Sequence, residues 1–236
     1  MTPPIRRHVD GIREYLDPQT HDWVAGITSI VNKMVPKSGG VAGWQRKNAN
    51  HEQLLARSAV KGTLMHHRLQ SKLSEEDLDL PEIDFALVDE AMLSELELAE
   101  IMFESLKFDW SYPRWIEHPV YRREWPPFAG TPDTLSMMGC EGITPPGLLL
   151  VDYKSSSEIY ESQRYQCGGY YVALPESRKP ENCWIVGLNT DPKKNPFCKP
   201  VIAKLPRTVL DKYGEKFIDM AIEFYEERND NASKTT

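Results

Sequence analysis

The stretch LLLVDYKSSS, residues 148–157, constrains this chain more than any other. Its four consecutive apolar residues make a strand that is apolar on both faces. Such a strand must be covered on both faces, which places it centrally in a sheet between other layers. Side chains alternate along a strand, so Leu148, Leu150, Asp152 and Lys154 share one face, and Leu149, Val151 and Tyr153 share the other. A carboxylate and an ammonium therefore meet where the strand exits. An ion pair is an ordinary way to end a buried strand, so this D-x-K pattern acquires chemical meaning only from its surroundings.

The 236 residues suit one domain around one sizeable core. No run approaches the roughly 20 apolar residues of a membrane span, so no membrane association is expected. The N-terminal MTPPIRRHVDGIREY has no apolar run behind its basic residues, as a secretory signal requires. Cys140, Cys167, Cys183 and Cys198 form no CxxC pair and no metal-binding spacing. The reading is reduced thiols in an intracellular, cytoplasmic protein, with no iron–sulfur cluster.

Net charge is −7, which at first argues against a polyanionic partner. Its distribution says otherwise. Twelve acidic residues and no Lys or Arg lie between Glu75 and Glu104, leaving 23 acids against all 28 bases elsewhere. The segment 75–104 reads as a solvated acidic helical face, and the remainder can present a basic groove to nucleic acid.

Residues 1–48 read as an irregular arm with short helices and a basic lip in VPKSGGVAGWQRKN. Residues 49–108 read as the helical part. Leu54, Ser58, Gly62, Met65, Leu69 and Leu73 recur at helical spacing, predicting a helix from Asn50 to Leu73. Gly62 costs that helix about 1 kcal/mol relative to alanine, which suggests that something approaches closely there. Pro81 opens a second helix from Glu82 to Lys107, striped by Phe85, Val88, Met92, Leu96 and Ile101. Beyond Asp109 the pieces RWIEHPVYRREW, FAGTPDTLSMM and GLLLVDYK read as three strands, the last two joined by a turn at 141–147. A helix over 160–174, strands at NCWIVGLNT and PVIAKL, and a helix over 208–228 complete an α/β core at 109–228, before a flexible tail at 229–236. The expected fold is a central mixed sheet flanked by helices, with a helical region N-terminal to it.

Asp133 precedes Asp152 by nineteen positions across a turn containing two prolines. If the two strands pair as a hairpin, the carboxylates converge and repel, and a hard divalent cation bound to both relieves that repulsion. A lysine beside such a site can steady an attacking water or the charge that develops on phosphorus. Gln166 and Tyr170 are four apart on one helical face, as are Gly62 and His66. An imidazole at His66 can complete a metal shell. Spacing alone does not decide between His66 and His67.

Together these residues resemble the PD-(D/E)XK nuclease superfamily, in its RecB-type, lambda-exonuclease-like branch. The segments that carry the resemblance are GTLMH at 62–66, GTPD at 130–133, DYK at 152–154 and QCGGY at 166–170, in the branch's order. ITSI, around Ser29, is similar to its serine-containing N-terminal segment. The resemblance implies a restriction-endonuclease-like core and hydrolysis of DNA phosphodiesters with one or two Mg²⁺ or Mn²⁺ ions. It gives Asp133, Asp152 and Lys154 catalytic roles. It makes His66, Asp133, Asp152 and the backbone carbonyl of Tyr153 metal ligands, with Glu117 a further ligand or a residue bonded behind one. Gln166, Tyr170 and Ser29 would support the site and touch DNA. Asp152 stands where many relatives carry glutamate, which shortens that arm by about one bond. A cluster-free exonuclease of this size resembles enzymes of phage or plasmid recombination and repair, acting on linear duplex or single-stranded DNA in the host cytoplasm. A recombination or single-strand-binding protein is an expected partner. The alternative is a catalytically inactive DNA-binding or scaffold protein on the same fold, which has no need of clustered carboxylates. A third reading is a structural ion pair in an unrelated α/β enzyme, which leaves the other segments to coincidence. Trp44, Trp115 and Tyr165 are aromatics that can stack on bases or fill the core.

Overall fold

The chain opens with a hairpin where its Pro, Gly and Lys content predicted an irregular arm. In the computed structural model, which describes residues 4–36, 48–75, 78–108, 114–140, 143–156 and 158–234, β1 (Arg6–Val9) and β2 (Ile12–Leu16) pair antiparallel. Between them Asp10 and Gly11 have φ of 52° and 76°, the positive values that a two-residue hairpin turn demands and that an Asp-Gly pair supplies. β3 (Trp23–Gly26) runs into α1 (Ile27–Met34), then α2 (His51–Ser74) and α3 (Glu90–Glu104) follow. The strands β4 (Arg114–Ile116), β5 (Val120–Arg122), β6 (Phe128–Gly130), β7 (Thr134–Cys140) and β8 (Ile143–Lys154) come next. α4 (Glu161–Ala173), β9 (Asn182–Gly187), β10 (Val201–Pro206) and α5 (Arg207–Lys234) complete the chain.

The strands form two mixed five-stranded sheets, ordered β1-β2-β3-β6-β5 and β10-β9-β8-β7-β4, where one sheet was expected. β8 is the central strand of the second, antiparallel to β7 and parallel to β9. Its faces divide as alternation requires. Leu150 joins a core made with α1, α4 and α5, whereas Leu149, Val151 and Tyr153 join one made with α2 and α3. The result is a mixed α/β architecture with helices on both faces.

Several predicted elements shift for identifiable reasons. Residues 143–147, expected within a turn, already belong to β8, which pairs with β7 from Ile143; residues 141 and 142 lie outside the described set. The helix expected from Glu82 begins at Glu90, where the Asp89 carboxylate caps it by accepting the Met92 N–H at 2.7 Å. Its buried stripe is Met92, Leu96, Ala99 and Phe103, while Phe85 and Ile101 are exposed. The last helix runs through the expected tail to Lys234. Most of the basic lip, with Trp44, lies outside the described residues.

The acidic segment proves less solvated than its composition suggests. Arg57, Lys61, Arg68 and Lys72 of α2 pair with Asp89, Glu95, Glu100 and Glu104 of the α3 region. These four bases are therefore committed to a neighbouring helix and cannot count towards a groove for nucleic acid.

Two glycines set how closely α4 and α5 pack. A Cβ on Gly168 would lie 2.5 Å from the Tyr213 carbonyl carbon and 2.8 Å from the Gly214 nitrogen, both of them backbone atoms. We expect Gly168→Ala to lower stability by about 2–3 kcal/mol, with the thermal midpoint falling by roughly 5–10 °C. An unchanged melting curve would show that the helices separate freely.

Candidate active site

The chain crosses from one sheet to the other three times, and the last two crossings fall at the same place. Glu117 follows β4 on the way to β5, and Asp133 precedes β7 on the way from β6. FAGTPDTL, expected as one strand, is two in different sheets, and the break leaves Asp133 free to turn inward. β4 pairs with β7 up to Ile116 and Thr134, and the Glu117 N–H then donates to the Asp133 carbonyl at 3.0 Å. Glu117 has φ 48°. A non-glycine residue in the left-handed region is strained, and such strain persists where the surroundings over-determine it.

Asp133 binds the open end of β8 directly. Its Oδ2 accepts the Tyr153 N–H at 2.6 Å, and its Oδ1 lies 3.1 Å from His66 Nδ1. His66 reaches it from α2, across the sheet edge. His67 points elsewhere, with Nε2 3.2 Å from the Leu78 carbonyl and 3.1 Å from that of Asp79. Of the two histidines that spacing left open, both of which line the same cleft, it is His66 that meets Asp133. Donor atoms of His66, Glu117 and Asp133 all lie within 4.8 Å of one another.

Asp152 and Lys154 form the expected pair on one strand face, with Nζ 2.7 Å from Oδ2. Asp152 is 1% exposed, and its Oδ1 accepts no hydrogen bond among the described residues. It is set deeper than the His66–Glu117–Asp133 group, so the compact donor set contains Glu117 in the place where the sequence suggested Asp152. The Tyr153 N–H is the group that holds Asp133 against the strand end.

The electrostatics follow from burial and crowding. Burial, reinforced by the Asp133 charge, pushes the Glu117 carboxyl up to about 8. Burial lifts Asp152 to about 6 against the pull of Lys154, and Asp133 adds to the rise. Asp133 itself is also disfavoured by burial, but His66, Lys154 and the Tyr153 N–H together hold it below the usual carboxylate range. Burial opposes the charge on Lys154, yet Asp152 and Asp133 outweigh it and keep the ammonium charged. Two carboxyl groups and an imidazole crowded at one half-buried point, one carboxyl forced towards its neutral form, suit a hard divalent cation. The residues present fit such an ion.

His66, Glu117, Asp133 and Lys154 line a cleft of about 880 Å³. Gln166 and Tyr170 of α4 also line it, with Gln166 Nε2 donating to the Tyr170 hydroxyl at 2.6 Å and to Thr28 Oγ1 at 3.3 Å. Ser29 stands behind the wall, its Oγ accepting the Arg13 N–H at 2.8 Å and so tying β2 to α1. Gly62 belongs to the wall too. The close approach expected there is absent, since an added Cβ would meet only Ser155 Oγ at 4.0 Å. Sequence reading missed Arg6 and Arg13, which line the cleft from the hairpin; Arg6 also donates to Thr131 Oγ1 at 2.9 Å. The Asp-Gly turn between alternating residues was the signal that could have placed them. Trp115 and Tyr165 pack at the margin of the first core. Among the described residues, no helix is long and apolar enough to cross a membrane.

No family model matches this sequence, and no curated protein does. Among solved structures, the crystal structure of SSO0001 is similar at a TM-score of 0.29 and 12% identity, over 70% of this chain and 74% of that one. A likeness of that size carries no argument about function.

Proposed function

We propose that this chain is a divalent-metal-dependent DNA nuclease of the PD-(D/E)XK type, built on a restriction-endonuclease-like core and acting as an exonuclease in DNA recombination, repair or processing. The observation that carries the reading is the convergence of Asp133, Asp152 and Lys154 at the open end of a central strand, with His66 and Glu117 against them in a cleft that Arg6 and Arg13 also line.

His66, Glu117 and Asp133 would hold Mg²⁺ or Mn²⁺, with Asp152 behind them. Such an ion would supply Lewis-acid polarisation of a phosphate oxygen and a bound water of lowered pKa. Lys154, held charged by Asp152, projects its ammonium to the cleft, where it orients the attacking water and meets the charge developing on the phosphate oxygens. Gln166 and Tyr170 fix one wall by their mutual hydrogen bond. The guanidinium groups of Arg6 and Arg13 neutralise phosphates of the bound strand. Digestion of end-labelled linear DNA in Mg²⁺, and its absence in EDTA, is the direct test; an intact substrate in both would end this reading.

Binding should weaken as salt rises, because each neutralised phosphate releases counterions. The double variant Arg6→Ala/Arg13→Ala should weaken DNA binding and lower the slope of log K against log salt by about 1 for each phosphate left without its guanidinium. A slope identical to wild type would remove the hairpin from the interface.

A further inference from the structure

The loop between β9 and β10, residues 188–200, leaves the sheet at the same end as Lys154. Lys154 is level with Gly187 in the parallel pairing, and the Leu188 N–H donates to the Lys154 carbonyl at 2.7 Å. Two residues on, the Thr190 hydroxyl lies 3.4 Å from Lys61 Nζ, beside Gly62 in the cleft wall. The loop thus starts at the end of the sheet that carries Lys154 and packs over α3, where Thr190 Oγ1 lies 3.5 Å from Glu95 Oε2 and Asn195 Nδ2 lies 3.5 Å from Met102 Sδ.

This loop is held by its own hydrogen bonds. Asn195 donates through Nδ2 to the carbonyls of Asn189 at 2.8 Å and Lys199 at 2.9 Å, and its Oδ1 accepts the Lys199 N–H at 3.1 Å. Asp191 accepts the Lys193 N–H at 2.9 Å. Cys198, at φ 46°, turns its side chain onto the second core. Fixing Cys198 inward sets the neighbouring ring of Phe197 outward, where it is 78% exposed. Lys193, Lys194 and Lys199 are exposed around it, and none has an ion-pair partner among the described residues.

A solvent-facing aromatic ring among exposed ammonium groups suits one chemistry. Single-stranded nucleic acid offers π faces to stack on the ring and phosphates to meet the lysines. Duplex DNA offers the phosphates but hides the faces. We infer that the Phe197 loop, which leaves the sheet at the end that carries Lys154, is a binding site for single-stranded DNA, where unpaired bases stack on Phe197 while Lys193, Lys194 and Lys199 contact the backbone. The inference rests on the nuclease reading for the identity of its ligand.

The test is equilibrium binding of a fluorescently labelled oligothymidylate in EDTA, by anisotropy, beside the same measurement on a blunt duplex. Phe197→Ala should weaken oligothymidylate binding about 5- to 150-fold, the loss expected for one stacked base. Phe197→Tyr, which keeps the ring, should bind within about two-fold of wild type, and Phe197→Ala should leave duplex binding unchanged. Thermal midpoints should not move, since the ring is exposed. Oligothymidylate binding by Phe197→Ala that equals wild type overturns the loop assignment, as does an equal loss on the duplex. If wild type digests DNA in Mg²⁺ while Phe197→Ala binds normally, the loop assignment alone falls. If wild type neither binds nor digests DNA, the nuclease reading falls with it.

Discussion

Asp152→Asn and Lys154→Ala should each lower Mg²⁺-dependent digestion of linear DNA by at least about 10²-fold, the scale at which removing one charge-stabilising group acts. The geometry makes the two changes informative in different ways. Asparagine keeps the volume at Asp152 but removes the charge that holds Lys154 Nζ at 2.7 Å, so the ammonium loses its fixed position. Alanine at Lys154 removes the ammonium itself and leaves a buried carboxylate alone. Breaking a buried pair costs about 3–5 kcal/mol when the remaining group must stay charged. Asp152 is already pushed up to about 6 by burial, so it can take a proton and soften that loss. Both variants should therefore be folded enough to assay, with thermal midpoints and digestion measured on the same preparations. Activity equal to wild type in either would detach the D-x-K pair from the chemistry, whatever the fold.

The second large effect separates two adjacent histidines. His66→Ala should raise the Mg²⁺ concentration for half-maximal digestion by about 10- to 100-fold, the range over which losing a ligand or its support shifts metal affinity. His67→Ala should change it by less than about three-fold, because His67 is turned to the carbonyls of Leu78 and Asp79. Isothermal titration with Mn²⁺ gives the same comparison without turnover. Equal shifts for the two variants would contradict the contact of His66 Nδ1 with Asp133.

How much of this was legible depends on the range of the signal. The D-x-K pair, the two-faced burial of β8, and the helices carrying His66, Gln166 and Tyr170 were all readable, because periods of 2.0 and 3.6 residues are local properties. The N-terminal hairpin was also local, in Asp10-Gly11, yet the surrounding Pro, Gly and Lys content masked it. Glu117 was visible only through the family resemblance, and nothing nearby in the chain showed that it lies against Asp133. The acidic run 75–104 reads as solvated because its partners, Arg57 to Lys72, lie on another helix.

By itself, then, the sequence determined that strand 148–154 is central, that Asp152 and Lys154 share its face, and which helical faces could meet it. Alternation and helical repeat require nothing beyond neighbouring residues. Only the tertiary structure decided that the strands divide into two sheets. It alone decided that the crossings after β4 and before β7 fall together, and that Glu117 rather than Asp152 completes the compact donor set with His66 and Asp133. Those outcomes depend on pairing between segments far apart in the chain, where the register of β4 against β7, and not any local pattern, brings the carboxyl groups face to face.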